Sequence, residues 1–427
     1  MQKSFFKQNQ LTKHISIMVI ASLIGGGFNY LYQLFMGRML GPEDFGVFGS
    51  LFAISYIIYI LSQTIQTSGA KFISTYNCQG DHQKISYFIS GLLKRMLVLG
   101  SVLYLFFLLI SGYLAEFLKI DTITPIIILG SIFIFSSLLP VNLGVLQGLE
   151  RFGLLGFNNI INFSSKFFIG VLLVFLGLGV NGALLAVVLG FVIALMFSLS
   201  TVKKYSIKDK TKLESIPFKD VYIYSIPTIV AMLCLSVPAN IDVIVVKHLF
   251  IADTAGIYAA ATVLGKIIIF ATNGVTLVTF PMISRLFEEK KETKTILHQS
   301  LLYAGALSGF AALGYWFLPN LVVNILFGVA YAETVSILKW YGIAMFFFSL
   351  VIVFIRYNLA VRDSVYIILL FFFTITEIGL WWIFNDSILT IVLILVYVNI
   401  ILCVVSYIYT VLRNKRQVKN GMILSID

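Results

Sequence analysis

Carboxylates are scarce in this chain. Its 427 residues hold 19 Asp and Glu against 30 Lys and Arg, and charged residues make up only 11%, where a soluble domain carries roughly 25%. Such a composition cannot clothe a water-soluble core, which excludes an ordinary soluble enzyme. Cysteines number three, Cys78, Cys234 and Cys403; odd and scattered, they give neither a disulfide framework nor zinc-ligand spacing, and packing roles are expected. The four histidines, His14, His82, His248 and His298, stand near membrane edges, so no metal site is expected. Catalytic signatures are missing as well: there is no H-E-x-x-H, no G-x-S-x-G in a nucleophile context, no Walker A and no D-x-D. "IGGG" (24–27) and "GLGV" (177–180) follow no strand and read as packing or bending glycines. No cofactor is expected, and without a nucleotide site active transport has to draw on an ion or substrate gradient.

What the chain has is apolar length. Hydrophobic residues make up 59% and the mean hydropathy is +0.98. About 20 apolar residues cross a bilayer, and twelve spans fit: 15–36, 47–70, 87–112, 123–145, 154–177, 180–201, 221–246, 256–280, 299–319, 331–354, 364–384 and 387–411. The fold class expected is therefore all-α and integral to the membrane. An N-terminal lobe (1–201), a cytoplasmic linker (202–220), a C-terminal lobe (221–411) and a tail (412–427) follow. The linker is too short to fold alone. "MQKSFFKQNQLTKH" resembles the head of a signal peptide, but the apolar run behind it lacks a small-residue cleavage site, so a retained first helix is expected.

Lys and Arg avoid translocated short loops. The N-tail, alternate breaks and C-tail hold 22 of the 30, whereas the other breaks hold only Arg38, Lys119 and Lys247. Both termini are thus expected in the cytoplasm of a multi-pass protein of the cell membrane. The +11 charge is explained by topology and anionic headgroups, and no nucleic-acid partner is expected.

The chain also repeats itself. "GRMLGPEDFGVFGSL" (37–51) lies over "VKHLFIADTAGIYAAA" (246–261), placing Arg38 on Lys247 and Gly46 on Gly256. "GLERFG" (148–153) lies over "LAVRDS" (359–364), with Arg151 on Arg362. Offsets of 209, 210 and 211 drift as duplication with small insertions would make them. Both halves start on the same side, so the repeat is parallel. Within the first motif, Gly41 is expected to end one helix, Pro42 to open the next, and Glu43 and Asp44 to sit at its positive end.

Polar groups at membrane depth face a bundle interior or an aqueous cavity. The first span carries Ser22, Gly25, Gly26, Asn29 and Gln33 at helical spacing, and the second carries Tyr56, Tyr59, Gln63, Gln66 and Thr67. The fifth carries Asn159, Asn162 and Lys166, and the eighth Thr262, Lys266, Asn273 and Thr276. Such stripes serve either as helix-packing faces or as a cavity wall. Lys166 and Lys266 are near the midplane, too deep to snorkel easily; Lys94 and Arg95 are shallower and positioned to snorkel. Acids at depth are Asp242, close to Pro227 and Pro238, which should interrupt the seventh span, and Glu377. Lys166 plus the offset of 211 is Glu377. An ion pair across the pseudo-axis, separate anion and cation sites, and coincidence all stay open.

The R-x-L-G-P-x-x-F-G-x-F turn (38–48), "NIDVIVVKHLFIADTAGIYAAA" (240–261) and "LQGLERFG" (146–153) resemble prokaryotic polysaccharide-biosynthesis flippases of the O-antigen type. These belong to the multidrug, oligosaccharidyl-lipid and polysaccharide exporter superfamily. The resemblance implies two pseudo-symmetric six-helix lobes around a central cavity, lined by the first, second, seventh and eighth helices. It also implies alternating access that carries a polyprenyl-linked sugar from the inner to the outer leaflet, by a monomer working among membrane lipids. On that reading Lys166 and Lys266, with Asn159, Asn162, Gln63, Gln33 and Asn29, meet the anionic substrate, and Arg38 and Lys247 mark the turn or gate. Asp242, at an acidic position of the family's seventh helix, and Glu377 are candidates to couple Na+ or H+. Two other functions compete: a drug or metabolite antiporter, which favours acids in the first lobe, and a membrane glycosyltransferase or polymerase, which needs sizeable outer loops.

Overall fold

The computed structural model describes residues 2–205, 236–361, 363 and 365–419, with scattered positions between 218 and 233. Among the described residues every regular element is a helix. In hydrocarbon there is no water to satisfy free N–H and C=O groups, and a helix satisfies them within itself.

A single helical run, Gln2–Cys78, is broken at Gly41, whose φ of 76° and ψ of 172° no helix contains. That backbone suits glycine, and Pro42, directly after it, needs no N–H partner in a first turn. The run thus becomes α1 (2–40) and α2 (42–78), with Glu43 and Asp44 exposed on the first turn of α2. The break falls where the sequence places it.

The first half continues with α3 (His82–Leu109), the short α4 (Ser111–Phe117), α5 (Thr124–Gly130), α6 (Ile132–Gly148), α7 (Phe152–Leu173) and α8 (Gly179–Val202). Between α7 and α8 a π-helical turn, Val174–Leu178, reverses the chain through Gly177 and Gly179, at φ 87° and 49°. In the second half come α9 (Ile241–Leu249), α10 (Ala252–Glu288), α11 (Lys294–Phe317), the short α12 (Pro319–Leu326), α13 (Thr334–Ala360), α14 (Val365–Ile383) and α15 (Ile388–Lys419). Nine described stretches are long and apolar enough to cross a membrane. Two of them, of 63 and 51 residues, contain the Gly41 and Gly177–Gly179 breaks and are each long enough to cross twice. The chain is a multi-pass membrane protein. Part of the seventh expected span, Pro227 included, lies outside the described residues, as do Cys234 and Arg362. Pro238 lies in a turn just before α9.

Two compact units result, 1–248 and 249–427. In the first, α1 and α2 pack on α6 and α7, and α7 packs on α8. Gly144 lets α6 lie directly on α2: a Cβ there would sit 2.8 Å from the Gln66 carbonyl oxygen. Small residues at crossings are how membrane helices approach closely. Buried amides tie the bundle, Asn142 donating to Ser198 at 2.9 Å and Asn158 to the Ala194 carbonyl at 2.8 Å. In the second unit α13 is central, packed by α10, α11 and α15. At its end a partly buried ion pair, Arg413 to Asp363 at 2.9 Å, is joined by the Tyr409 hydroxyl at 2.9 Å.

Each unit places a short helix, α4 or α12, just after a long one, α3 or α11. Their starts, Ser111 and Pro319, stand 208 residues apart, close to the offsets of the sequence repeat. The expected packing role of Cys78 is corrected: it ends α2 in an exposed position.

Candidate functional site

The site begins on α7, whose polar stripe repeats at three- and four-residue steps. Asn159, Asn162 and Lys166 line a recess shared with Asn29 of α1 and with Ser55, Tyr56, Tyr59, Ser62 and Gln66 of α2. Close approach of α8 completes the wall, because Gly190 sits where a Cβ would be 2.9 Å from the Asn162 carbonyl oxygen and 3.2 Å from the Lys166 Cβ. The recess holds about 110 Å³, room for three or four waters at about 30 Å³ each.

Lys166 is buried, 4% exposed. Its ammonium donates to the Asn29 Oδ1 and lies over three rings, 4.7 Å from the centre of Tyr32, 5.1 Å from Phe52 and 5.2 Å from Phe163. Ring faces attract a cation through their quadrupole, by about 2 kcal/mol when water is excluded. Among the described residues no carboxylate pairs with it. An amide oxygen and three rings hold the ammonium in place, and an anion entering the recess would meet it with no carboxylate beside it.

The other polar groups hold this arrangement. Asn29 Nδ2 donates to the Tyr56 hydroxyl at 3.2 Å, and Gln33 Nε2 reaches the same oxygen at 3.5 Å. Tyr32 fixes its ring by donating to the Ala183 carbonyl at 2.5 Å. Gln66 is engaged by Gln147 at 2.9 Å, and Gln63, largely exposed, bonds Tyr59. The structure therefore brings together Lys166, Asn29, Asn159 and Asn162, with Gln33 one bond away through Tyr56.

The remaining candidates stand elsewhere. Lys266 is half-buried on α10, and Glu377 is buried on α14. Asp242 is buried in the first turn of α9, where the helix dipole favours a negative charge. Arg38 is exposed, but its repeat partner Lys247 is wholly buried. Lys247 donates to the Leu118 and Lys119 carbonyls at 2.7 and 3.2 Å, and His248 stacks on Phe117 at 4.0 Å.

Sequence reasoning missed Tyr32, Phe52 and Phe163. Each lies three or four residues from a polar member of the stripes, Asn29, Tyr56 and Lys166 respectively, so helical spacing was a usable signal.

A family model described as polysaccharide biosynthesis protein matches residues 11–287, which include most of α1, all of α2, α7 and α8, and every residue lining the recess. The chain belongs to this polysaccharide biosynthesis family. A capsular polysaccharide biosynthesis protein of Staphylococcus aureus, CapF, is 25% identical over 333 residues, 77% of this chain and 80% of that protein. An uncharacterized membrane protein of Methanocaldococcus jannaschii is 25% identical over 357 residues, 79% of this chain and 82% of its own. Among solved structures, an inward-facing multidrug resistance transporter of the MATE family, in the MOP superfamily, superposes with a TM-score of 0.77 at 17% identity, covering 92% of this chain and 96% of that one. The lipid II flippase MurJ gives 0.72 at 14% identity, covering 95% and 90%. This family member thus has the all-α fold found in those membrane transporters.

Proposed function

We propose that this protein flips a lipid-linked oligosaccharide, a polyprenyl phosphate or diphosphate sugar, from the cytoplasmic to the outer leaflet by alternating access, for cell-surface polysaccharide assembly. Both termini are cytoplasmic on this reading. One observation carries it: Lys166 is a buried cation with no carboxylate beside it, facing a polar recess inside the stretch that matches the polysaccharide family. Burying a charge is costly unless something compensates, and a group retained at that cost is a functional candidate. The recess is too small for a sugar and suits a phosphoryl oxygen cluster, which a lipid-linked glycan presents at membrane depth. No carboxylate lines it among the described residues, which disfavours the export of cationic drugs. MurJ, by its description, flips lipid II, and CapF serves capsular polysaccharide biosynthesis; both lend support by analogy.

Lys266 is a second candidate for anion contact, and Asp242 and Glu377 are each, separately, candidates to couple Na+ or H+. Deletion of the gene should accumulate the lipid-linked glycan on the cytoplasmic side, and Lys166→Ala and Lys266→Ala should each abolish surface display at normal protein levels. Wild-type display from both variants would remove the anion-site assignment. Asp242→Asn should change the dependence of flipping on sodium or pH; an unchanged dependence would remove its coupling role.

A further inference from the structure

A second cationic site lies on α3, away from the recess. Lys94 and Arg95 are exposed, and with Tyr87, Ser90, Gly91, Val98, Leu99 and Val102 they line a groove of about 870 Å³. The lining residues recur at three- and four-residue steps, one face of a helix. No carboxylate is among them. Asp81, the acid at the helix start, is engaged by Lys84 at 3.1 Å.

Arg95 is held ready. Its guanidinium stacks on the Phe218 ring at 3.6 Å, and Nη1 donates to the Gly91 carbonyl at 3.3 Å. Phe218 in turn stacks on Phe88 at 5.7 Å, with the rings 4° from parallel. A planar guanidinium on an aromatic face loses little further freedom when it binds. Lys94, beside it, makes no hydrogen bond or ion pair among the described residues.

Above the cations the helix carries no charge and is apolar apart from Ser101 and Tyr104, and Leu97, Val98, Leu99, Val102, Leu105, Phe106 and Leu109 are all exposed. From Arg95 to Leu109 is about 21 Å of helix, against roughly 30 Å of hydrocarbon. The cations therefore stand about 9 Å inside the boundary on the His82 side. A side chain at that depth reaches the phosphate level of the adjoining leaflet.

A charged foot below a lipid-exposed apolar wall has the shape of a phospholipid. We propose that Lys94 and Arg95 form a binding site for the headgroup phosphate of an anionic membrane phospholipid, with its acyl chain lying along Val98, Leu99 and Val102. The site shares no lining residue with the recess. It selects for net negative charge, because a zwitterionic headgroup returns one positive charge to the groove.

The full-length protein is placed in nanodiscs of phosphatidylcholine with increasing phosphatidylglycerol, and lipid retained after release is counted by native mass spectrometry. A parallel series replaces phosphatidylglycerol with polyprenyl phosphate. At about 1 kcal/mol per basic residue near an anionic surface, Lys94→Gln or Arg95→Gln should each weaken phosphatidylglycerol retention about fivefold, and the pair about thirtyfold. Lys94→Arg should retain it, and phosphatidylcholine retention should not change. Equal phosphatidylglycerol retention by wild type and the double variant overturns the site. So does a loss confined to polyprenyl phosphate, which would make the groove a substrate contact instead.

Discussion

Lys166 and Lys247 are both buried, yet the two regions treat the charge in opposite ways. Lys247 meets the open end of α4, where a helix has carbonyls with no partner of its own, and it gives two hydrogen bonds to the carbonyls just past that end. A cation at a helix C-terminus is also favoured by the dipole. Its donors are committed to holding the fold. Lys166 has an amide oxygen and three ring faces. These orient the ammonium and leave its charge unbalanced toward the recess. Depth alone therefore does not mark a binding lysine; what distinguishes it is whether its partners use up the donors or only position them.

Replacing each lysine by methionine, of similar length and no charge, gives the sharpest separation. Lys166→Met should reduce surface glycan display to the level of the deletion strain, while the purified variant melts at or above the wild-type temperature. Removing a buried ammonium that no carboxylate pairs also removes the cost of burying its charge. Lys247→Met should behave in reverse. Each carbonyl left buried without a donor costs about 1–3 kcal/mol, so the melting temperature in detergent falls by several degrees and the yield with it, and whatever protein folds still flips. Both variants behaving alike would dissolve the distinction.

Asn29→Leu tests the same contrast more gently. It strips Lys166 of its acceptor and Tyr56 of a donor, and should destabilise by about 1.5–3 kcal/mol, the range for a hydrogen bond to a charged group. The double variant Asn29→Leu, Lys166→Met should be more stable than Asn29→Leu alone, because the ammonium that lost its partner is gone. Melting temperatures of the four proteins in this cycle give the coupling directly. Additive losses would mean that the bond to Asn29 does not compensate the charge.

Much of this is legible in the sequence. Gly41 and Pro42 announce the first break through backbone rules that need no neighbours, and the stripes of α1, α2 and α7 follow from periodicity. Periodicity names a face but not what lies opposite it. The step that seats Gly190 against Asn162 and Lys166 depends on how α8 lands, and no local pattern records that. The seven- and eight-residue helices α4 and α12 escape a hydropathy window tuned to about 20 residues. The fate of Lys247 is lost with α4: its alignment with Arg38 is visible, but the carbonyls it meets directly follow a helix that the window cannot resolve.

The smallest effect belongs to a lysine at the surface, Lys84, and it bounds the comparison from the other side. Asp81 caps α3 by accepting from the Lys84 backbone N–H at 2.9 Å, and its carboxylate meets the Lys84 ammonium at 3.1 Å. The backbone hydrogen bond, then the ammonium, holds this carboxyl below its ordinary value. A carboxyl lowered in the folded state contributes stability that is present above its ordinary value, near 4, and lost as pH falls through the lowered one. Asparagine caps a helix as well as aspartate, so Asp81→Asn should leave the melting temperature at pH 7 unresolved from wild type, because exposed pairs contribute little. Between pH 5 and 3 the wild type should lose slightly more stability than the variant, and that difference should vanish in high salt if the charge on Lys84 supplies it. A salt-insensitive difference would assign it to the backbone bond alone, leaving the Lys84 ammonium with no role in the cap.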